Sequence, residues 1–505
     1  MLPILMSLFG IFHSLSLDSP KVVATSKYKG IFQHLKDQER IKTIDGPPMG
    51  FKPVIPKIAS PSSEHCSDLK YQLHVFDKMA RGFWLHWLLP MLLGTLSAAY
   101  NIGIGKSDIT GPAADIVMMG FADPTESAAG ILSRLYTRAF LIEDVATNKR
   151  IMFVHCDLMS VMQLVHQEVL TKLATKYHGV YTEQNVVLHA SHTHASPGGT
   201  AGYFLYDATT LGFVSENFDK IVNGIMDAIN AAHNSAESGT IRWNKAEVAK
   251  GGKNRSPSAY LANPSSERAK YASNIDTTMR ALHFFNSSGK LRGVLAFYPV
   301  HPTSLTVKNK LVSGDNKGYA EFLLEDELDD VIVAIGIANA GDVSPNLIDN
   351  GNGTFRGEGN TTIESAEIMG KRQYDALSAL IKGKSELVEG SVIANLSYVD
   401  FSNVTLNGVK ATTSDPFATR TCPAVVGQNF AAGTEDGRGP STFTEANLKG
   451  NALFKAISAV IKPTPAWVQS CQNANKSRSS KLVSSLSLSP TSRSRPWRAD
   501  ASETP

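Results

Sequence analysis

At 505 residues the chain has room for three domains of ordinary size and for a substantial buried core. Hydrophobic residues make up 42% and charged residues 19%, a globular mix that excludes a collagen, a coiled coil or a wholly disordered chain. The 49 Lys+Arg against 46 Asp+Glu leave +3, which is not the basic stripe of a nucleic-acid binder. Four Cys without a C-x-x-C pair exclude both a disulfide scaffold and a zinc ribbon.

The first hundred residues lack the texture of a folded domain. Met1 to Leu17 is apolar but carries no charged leader, and Lys21 to Asp68 has Pro47, Pro48, Pro53, Pro56 and Pro61 with little apolar periodicity. Met79 to Ala99 is different. Arg81 precedes an apolar run from Phe83 to Leu93, and Ser97 and Ala99 are small residues of the kind a signal peptidase needs. A bilayer needs about 20 apolar residues, and His86 and Pro90 interrupt this run, so a membrane span fits poorly. A buried core helix built on Trp84 and Trp87 is the plain alternative. Residues 1–78 are therefore expected to be a non-native or disordered extension, 79–99 a signal segment, and the product secreted. N-x-S/T triplets at Asn254, Asn286, Asn352, Asn360, Asn395, Asn403 and Asn475 agree with that route.

From Tyr100 onward strands and helices alternate. Arg150 to Val154 predicts a buried strand, Met162 to Tyr177 a helix stopped by Gly179, and Val186 to Leu188 the next strand. Phe218, Ile221, Val222, Ile225, Met226 and Ile229 recur at helical spacing. Val294 to Val300 and Val331 to Ile335 read as strands, and Thr361 with Glu364 forms a capping box before a helix to about Ile381. The pattern predicts an α/β layered domain. After Lys476 the chain turns Ser-rich and basic, which predicts no regular structure.

Three polar clusters stand where predicted strands run out, the usual place for a site in such a sheet. LHASHTHASPGG holds His189, His192 and His194, and two His one residue apart on extended backbone can address a single metal. A polar loop with locally bonded His is the bland reading. FYPVHPTS ends a strand at His301. GDVSPN places Ser344 in a turn that would expose its hydroxyl, although no G-x-S-x-G elbow surrounds it. Each signal alone is weak.

In order and wording they resemble one family, the neutral ceramidases. The resemblance runs from YNIGIGKSDITGPAADIVMMGFAD at Tyr100, through LSRLYTRAF, SHTHASPGG, GGKNRSPSAYLANP, FYPVHPTS, VSGDNKGYA and NAGDVSPN, to NFAAGTEDG near Gly437, and covers about residues 100–471. It implies a mixed layered α/β catalytic domain and zinc-dependent hydrolysis of the amide of N-acylsphingosine to sphingosine and a fatty acid. It implies that His192 and His301 are zinc ligands. His194 and Arg255 would line the active site, and Ser344 would be essential either as nucleophile or as a neighbour of the metal. Cys422 and Cys471 would pair in a disulfide, as an oxidising compartment permits. Zinc would activate water at neutral pH and polarise the carbonyl, with Arg255 or His194 meeting the oxyanion. Attack by Ser344 is the other route. Partners implied are ceramide and the membrane-lipid surface that supplies it, without nucleic acid or a protein partner.

The likeness stops after Cys471. The family continues to a zinc-binding Glu and Tyr and a C-terminal β-sandwich, whereas residues 472–505 form the Ser/Arg tail, so a C-terminally incomplete domain is expected. Glu435 and Asp436 lie in another family motif and are weak substitute ligands. Pro496 to Thr504 can be encoded by bases that in another frame spell MAGRRLRN, close to a family stretch beyond the zinc-binding Glu. The tail thus reads as out of frame. An inactive lipid-binding protein, or a truncated gene product, is the alternative to an active ceramidase.

Overall fold

A computed structural model describes residues 100–351, 354–401, 404–405, 432–437 and 481–488. The leader segments 1–78 and 79–99, Cys422 and Cys471 lie outside the described residues. The elements begin with β1 (Tyr100–Asp108), β2 (Ala114–Met119), β3 (Ser127–Ala129), β4 (Tyr136–Asp144), β5 (Lys149–Cys156), α1 (Gln163–Tyr177), β6 (Val186–Ala190) and β7 (Ser196–Pro197). Next come α2 (Phe204–Thr209), α3 (Ser215–Asn234), β8 (Glu237–Glu247), β9 (Lys253–Asn254), α4 (Pro257–Ala262), α5 (Ser265–Arg268), β10 (Thr278–Asn286) and β11 (Leu291–Tyr298). The chain continues with α6 (Asp315–Glu327), β12 (Ile332–Ile337), β13 (Val343–Ser344), β14 (Ile348–Asp349), β15 (Phe355–Arg356) and α7 (Thr362–Lys382). It closes with β16 (Glu386–Leu387), β17 (Val392–Val399) and β18 (Lys481–Leu488).

One mixed sheet dominates, in the order β12-β11-β10-β8-β1-β4-β5-β6, with β16 added to β8. Only its outer pairs are parallel, β11 with β12 and β5 with β6, each joined through a crossover helix, α6 and α1 respectively. The strands explain the layering. Ala139 and Leu141 of β4 and Met152 and Val154 of β5 pack with α1 and α3, while the alternating Phe140, Ile142, Ile151 and Phe153 face the other way. In the far half Val294, Ala296, Val333 and Ile335 pack with α6 and α7, while Leu295 and Ala334 join the inner cluster. The sheet is therefore bent, with its two halves facing each other across an inner core and helices on both outer surfaces. The sheet's ends meet, since a Cβ on Gly336 of β12 would lie 2.7 Å from the His189 imidazole of β6.

The NIGIG run has a packing reason. A Cβ on Gly103 would sit 1.9 Å from the Ala232 carbonyl oxygen of α3, and one on Gly105 2.2 Å from that of Ala228, so only glycine admits the helix so close. Thr361 caps α7 by accepting from the Glu364 N–H at 3.1 Å, and the Glu364 carboxylate reaches back to the N–H of Asn360, one residue earlier than a standard box. The tail expectation needs a correction. Lys481–Leu488 is a strand paired antiparallel with β17, and Leu482, Leu486 and Leu488 fall on alternate positions, a strand period hidden by the Ser-rich composition. Among the described residues no helix is long and apolar enough to cross a membrane.

Candidate metal centre

The strand exits bring the predicted histidines together. Beyond β6 the chain stays beside the end of β5: the Ser191 N–H donates to the Cys156 carbonyl and the His192 N–H to that of Leu158, both at 2.9 Å. His192 then adopts φ +73°, a left-handed kink rather than the extended backbone expected for the HTH triplet. His194 lies against the Phe121 ring at 4.6 Å, in space that a side chain on Gly120 would fill, since a Cβ there would be 2.3 Å from the imidazole. His301 follows β11 from the opposite half of the sheet. Thr193 Oγ1 donates to the Ser313 carbonyl at 2.8 Å, tying the two halves together, and Asn316 Nδ2 fixes the loop carrying His301 by donating to the His301 carbonyl at 3.1 Å and to Ser304 Oγ at 3.0 Å.

One nitrogen from each of His192, His194 and His301 lies within 4.8 Å of the others. A carbonyl can only accept, so His192 Nδ1, 2.7 Å from the Met159 oxygen, and His301 Nδ1, 3.1 Å from the Val343 oxygen, carry protons. Each Nε2 thereby keeps its lone pair on the side of the centre, which is how a protein prepares imidazoles for a metal, and that of His192 takes a long contact from His194. His192 Nε2 and His194 Nε2 are 3.4 Å apart. Two nitrogens at Zn–N ≈ 2.0–2.1 Å on one tetrahedral ion would stand roughly 3.3–3.4 Å apart, so the His192–His194 spacing suits a metal ion of that size, and the His301 nitrogen lies within 4.8 Å of both. All three imidazoles are pushed toward the neutral form, chiefly by burial; the Met159 bond resists this at His192, and the Arg255 guanidinium adds to it at all three.

Arg255 reaches the site from beyond β9. Its N–H donates to the Asp342 carbonyl at 2.7 Å and its Nε to the Gly341 carbonyl. β9 in turn pairs with β13, Val343 opposite Asn254 and Ser344 opposite Lys253. That pairing overturns the expectation of an exposed serine hydroxyl. Ser344 is wholly buried, its Oγ donates to Asp436 and accepts from the Asn346 N–H at 3.0 Å. Glu435 and Asp436 are engaged elsewhere than on the metal: Glu435 accepts from the Ser258 N–H at the start of α4, and Asp436 from Ser344 and Asn346. Nor does His189 join the three; it points into the inner core between Phe153 and Phe297. Asn254, the first glycosylation triplet, is buried and donates to the Asn274 carbonyl at 2.9 Å, so it supports the site rather than offering an acceptor.

Sequence reasoning missed the DNK start of α6. Asp315 accepts from the Leu305 and Ser304 N–H groups, fixing the loop after His301, and burial raises it to about 6. Lys317 is fully buried, donates to the Tyr298 carbonyl at 2.8 Å and is brought down to about 7 by burial. A polar triplet carrying both an acid and a base at the start of a helix was the available signal.

The fold and the three-imidazole centre define an α/β protein with a candidate metal site at the exits of its parallel strands. Residues 100–481 match the family model for the N-terminal part of the neutral/alkaline non-lysosomal ceramidases, and the chain belongs to that family. It is 36% identical over 399 residues to the neutral ceramidase of Pseudomonas aeruginosa, a match covering 77% of this chain and 58% of that protein. To neutral ceramidase 2 of Arabidopsis thaliana it is 33% identical over 473 residues, covering 76% and 62%. Among solved structures, the P. aeruginosa neutral ceramidase superposes with TM-score 0.57 at 36% identity, covering 61% of this chain and 49% of that one. A ceramidase complexed with C2 gives TM-score 0.62 at 34% identity, covering 76% and 58%. The chain spans about three fifths of the length of these curated relatives.

Proposed function

We propose that this domain hydrolyses the amide bond of N-acylsphingosine, releasing sphingosine and a fatty acid, at a zinc site held by His192 and His301. One observation carries the reading: two imidazoles from opposite halves of the sheet, His192 half-buried and His301 buried, each fixed by a carbonyl in the tautomer that turns Nε2 inward. Bound zinc would polarise the amide carbonyl and make water a competent nucleophile at neutral pH. Water's oxygen bonds to the acyl carbon, the C–N bond breaks and the amine takes a proton. His194 stands beside the pair with its Nε2 3.4 Å from that of His192, and its neutral imidazole would line the site as a proton acceptor or donor. Arg255 supplies fixed positive charge for the developing oxyanion. Attack by Ser344 fits less well, because its hydroxyl is buried and already both donates and accepts. A substrate with ceramide's alkyl chains would be supplied from a membrane-lipid surface, where those chains are already out of water.

The test is fatty-acid release from N-acylsphingosine in mixed micelles by the full chain loaded with zinc. Release should be chelator-sensitive and fall more than roughly 100-fold in His301→Ala, since even a supporting neighbour of a metal is worth that much. Turnover indifferent to chelator and to His301→Ala rejects the metal role. Zinc binding without turnover leaves an inactive lipid-binding protein, the alternative reading. We also propose passage through the secretory pathway, supported by the Met79–Ala99 pattern and by the family match starting at Tyr100. N-terminal sequencing of the mature protein should begin near Tyr100, and a product retaining Lys21 to Lys78 would sink the idea.

A further inference from the structure

Asp436, far along the chain from both histidine motifs, closes on the back of the candidate centre. Its carboxylate accepts from Ser344 Oγ and, with both oxygens, from Asn346 Nδ2 at 3.0 and 3.2 Å. Asn346 N–H donates back to Ser344 Oγ at 3.0 Å, so the three residues form a closed ring of hydrogen bonds around a fully buried serine. Val343, next to Ser344, is the residue whose carbonyl takes both the His301 backbone N–H at 2.9 Å and the His301 Nδ1–H. The carboxylate is therefore two residues' contact away from the bond that sets His301's tautomer.

We propose that Asp436 is a positioning residue for His301: by clamping Ser344 and Asn346 it holds the Val343 carbonyl where it keeps the His301 Nε2 lone pair turned to the metal. This rests on the reading of His301 as a metal-holding residue. It also gives Ser344 a role as the link between Asp436 and Val343. A second-sphere group of this kind tunes metal affinity through the ring it orients, without touching the ion.

The experiment uses the full chain, stripped of metal, with the zinc Kd measured by competition against a chromophoric chelator and thermal unfolding followed on the metal-free form. Asp436→Ala should weaken zinc by about 10–100-fold. Asp436→Asn keeps an acceptor oxygen for Ser344 and should recover part of that loss; it carries the test if the alanine variant does not fold. Ser344→Ala combined with Asp436→Ala should weaken zinc no more than the worse single change, because both cut one linkage. Glu435→Ala, which removes the neighbouring contact to Ser258, should leave the zinc Kd within about twofold, the scale of ordinary surface changes. An Asp436→Ala protein that melts earlier but binds zinc as the wild type does would reduce Asp436 to a merely structural contact and overturn the proposal, as would fully additive losses in the double variant. Wild-type protein that binds zinc without hydrolysing ceramide sinks the catalytic reading alone. Chelator-sensitive hydrolysis with an unaltered Asp436→Ala zinc Kd sinks this inference alone.

Discussion

Among the described residues two clusters have the composition of a metal site, and one of them has the physics of one. His155, Asp157 and Glu321 converge as closely as the three site imidazoles, and all three are buried. Yet that cluster already contains its cation. Arg138 Nη1 lies 3.1 Å from Asp157 and 3.0 Å from Glu321, and its Nε is 3.2 Å from Glu325, which Lys106 also pairs at 2.6 Å. His155 Nε2 sits 3.3–3.4 Å from the two carboxylates, at ion-pair distance. Burial pulls its proton affinity down, but Asp157 and Glu321 outweigh burial and the imidazole stays the more basic for it. His192, His194 and His301 have no carboxylate among the groups that shift them; burial and the Arg255 charge drive them neutral. Lone pairs without a counter-charge invite a cation, whereas charges already paired do not.

The largest effect that would break this contrast lies in the paired cluster. Arg138→Met leaves Asp157 and Glu321 buried without their guanidinium partner, and removing one member of such a pair costs about 3–5 kcal/mol. Urea unfolding should show that loss, while zinc stoichiometry in the folded fraction stays as in the wild type. A normal unfolding curve, or zinc lost along with Arg138, would mean that the two clusters are not separate in role.

How much of this was legible beforehand follows from what sequence patterns encode. The local periodicities were readable: the Arg150–Val154 strand became β5, the Met162–Tyr177 helix α1, and the Phe218–Ile229 stripe the centre of α3. The histidine motifs were readable because each sits directly at a strand exit. The antiparallel middle of the sheet, β1, β4, β8 and β10, was not, since pairing partners more than a hundred residues apart, such as β1 and β8, leave no trace in local spacing. The buried ion network was hidden for a related reason. Arg138 and His155 occupy inward-facing positions of β4 and β5, where alternation alone would ask for apolar residues, and only the folded bend supplies their partners. Asp436 was visible as a residue but not as a neighbour of Ser344, ninety-odd positions away.

A smaller effect, of opposite sign in the two clusters, sharpens the comparison most directly. His301 is less basic folded than unfolded, so between its depressed folded value and the ordinary 6.5 the unfolded chain binds the extra proton. Its contribution is complete above pH 6.5 and is lost as the pH falls. His155 is more basic folded than unfolded, so its contribution is complete below 6.5 and is lost as the pH rises through the raised value. Whole-protein curves would blur this, because Glu126, pushed up to about 8 by burial, and Asp315, at about 6, titrate in the same range with the reverse sign to His301. Difference curves isolate it. In metal-free protein, the stability gap between wild type and His301→Gln should shrink by roughly 1 kcal/mol from pH 6 to pH 5, close to the 1.36 kcal/mol per unit that one proton allows. The gap between wild type and His155→Gln should instead hold below pH 6.5 and narrow above it. Slopes of the same sign in both variants would mean that the two imidazoles share one electrostatic environment, and the distinction between an open centre and a closed one would fall.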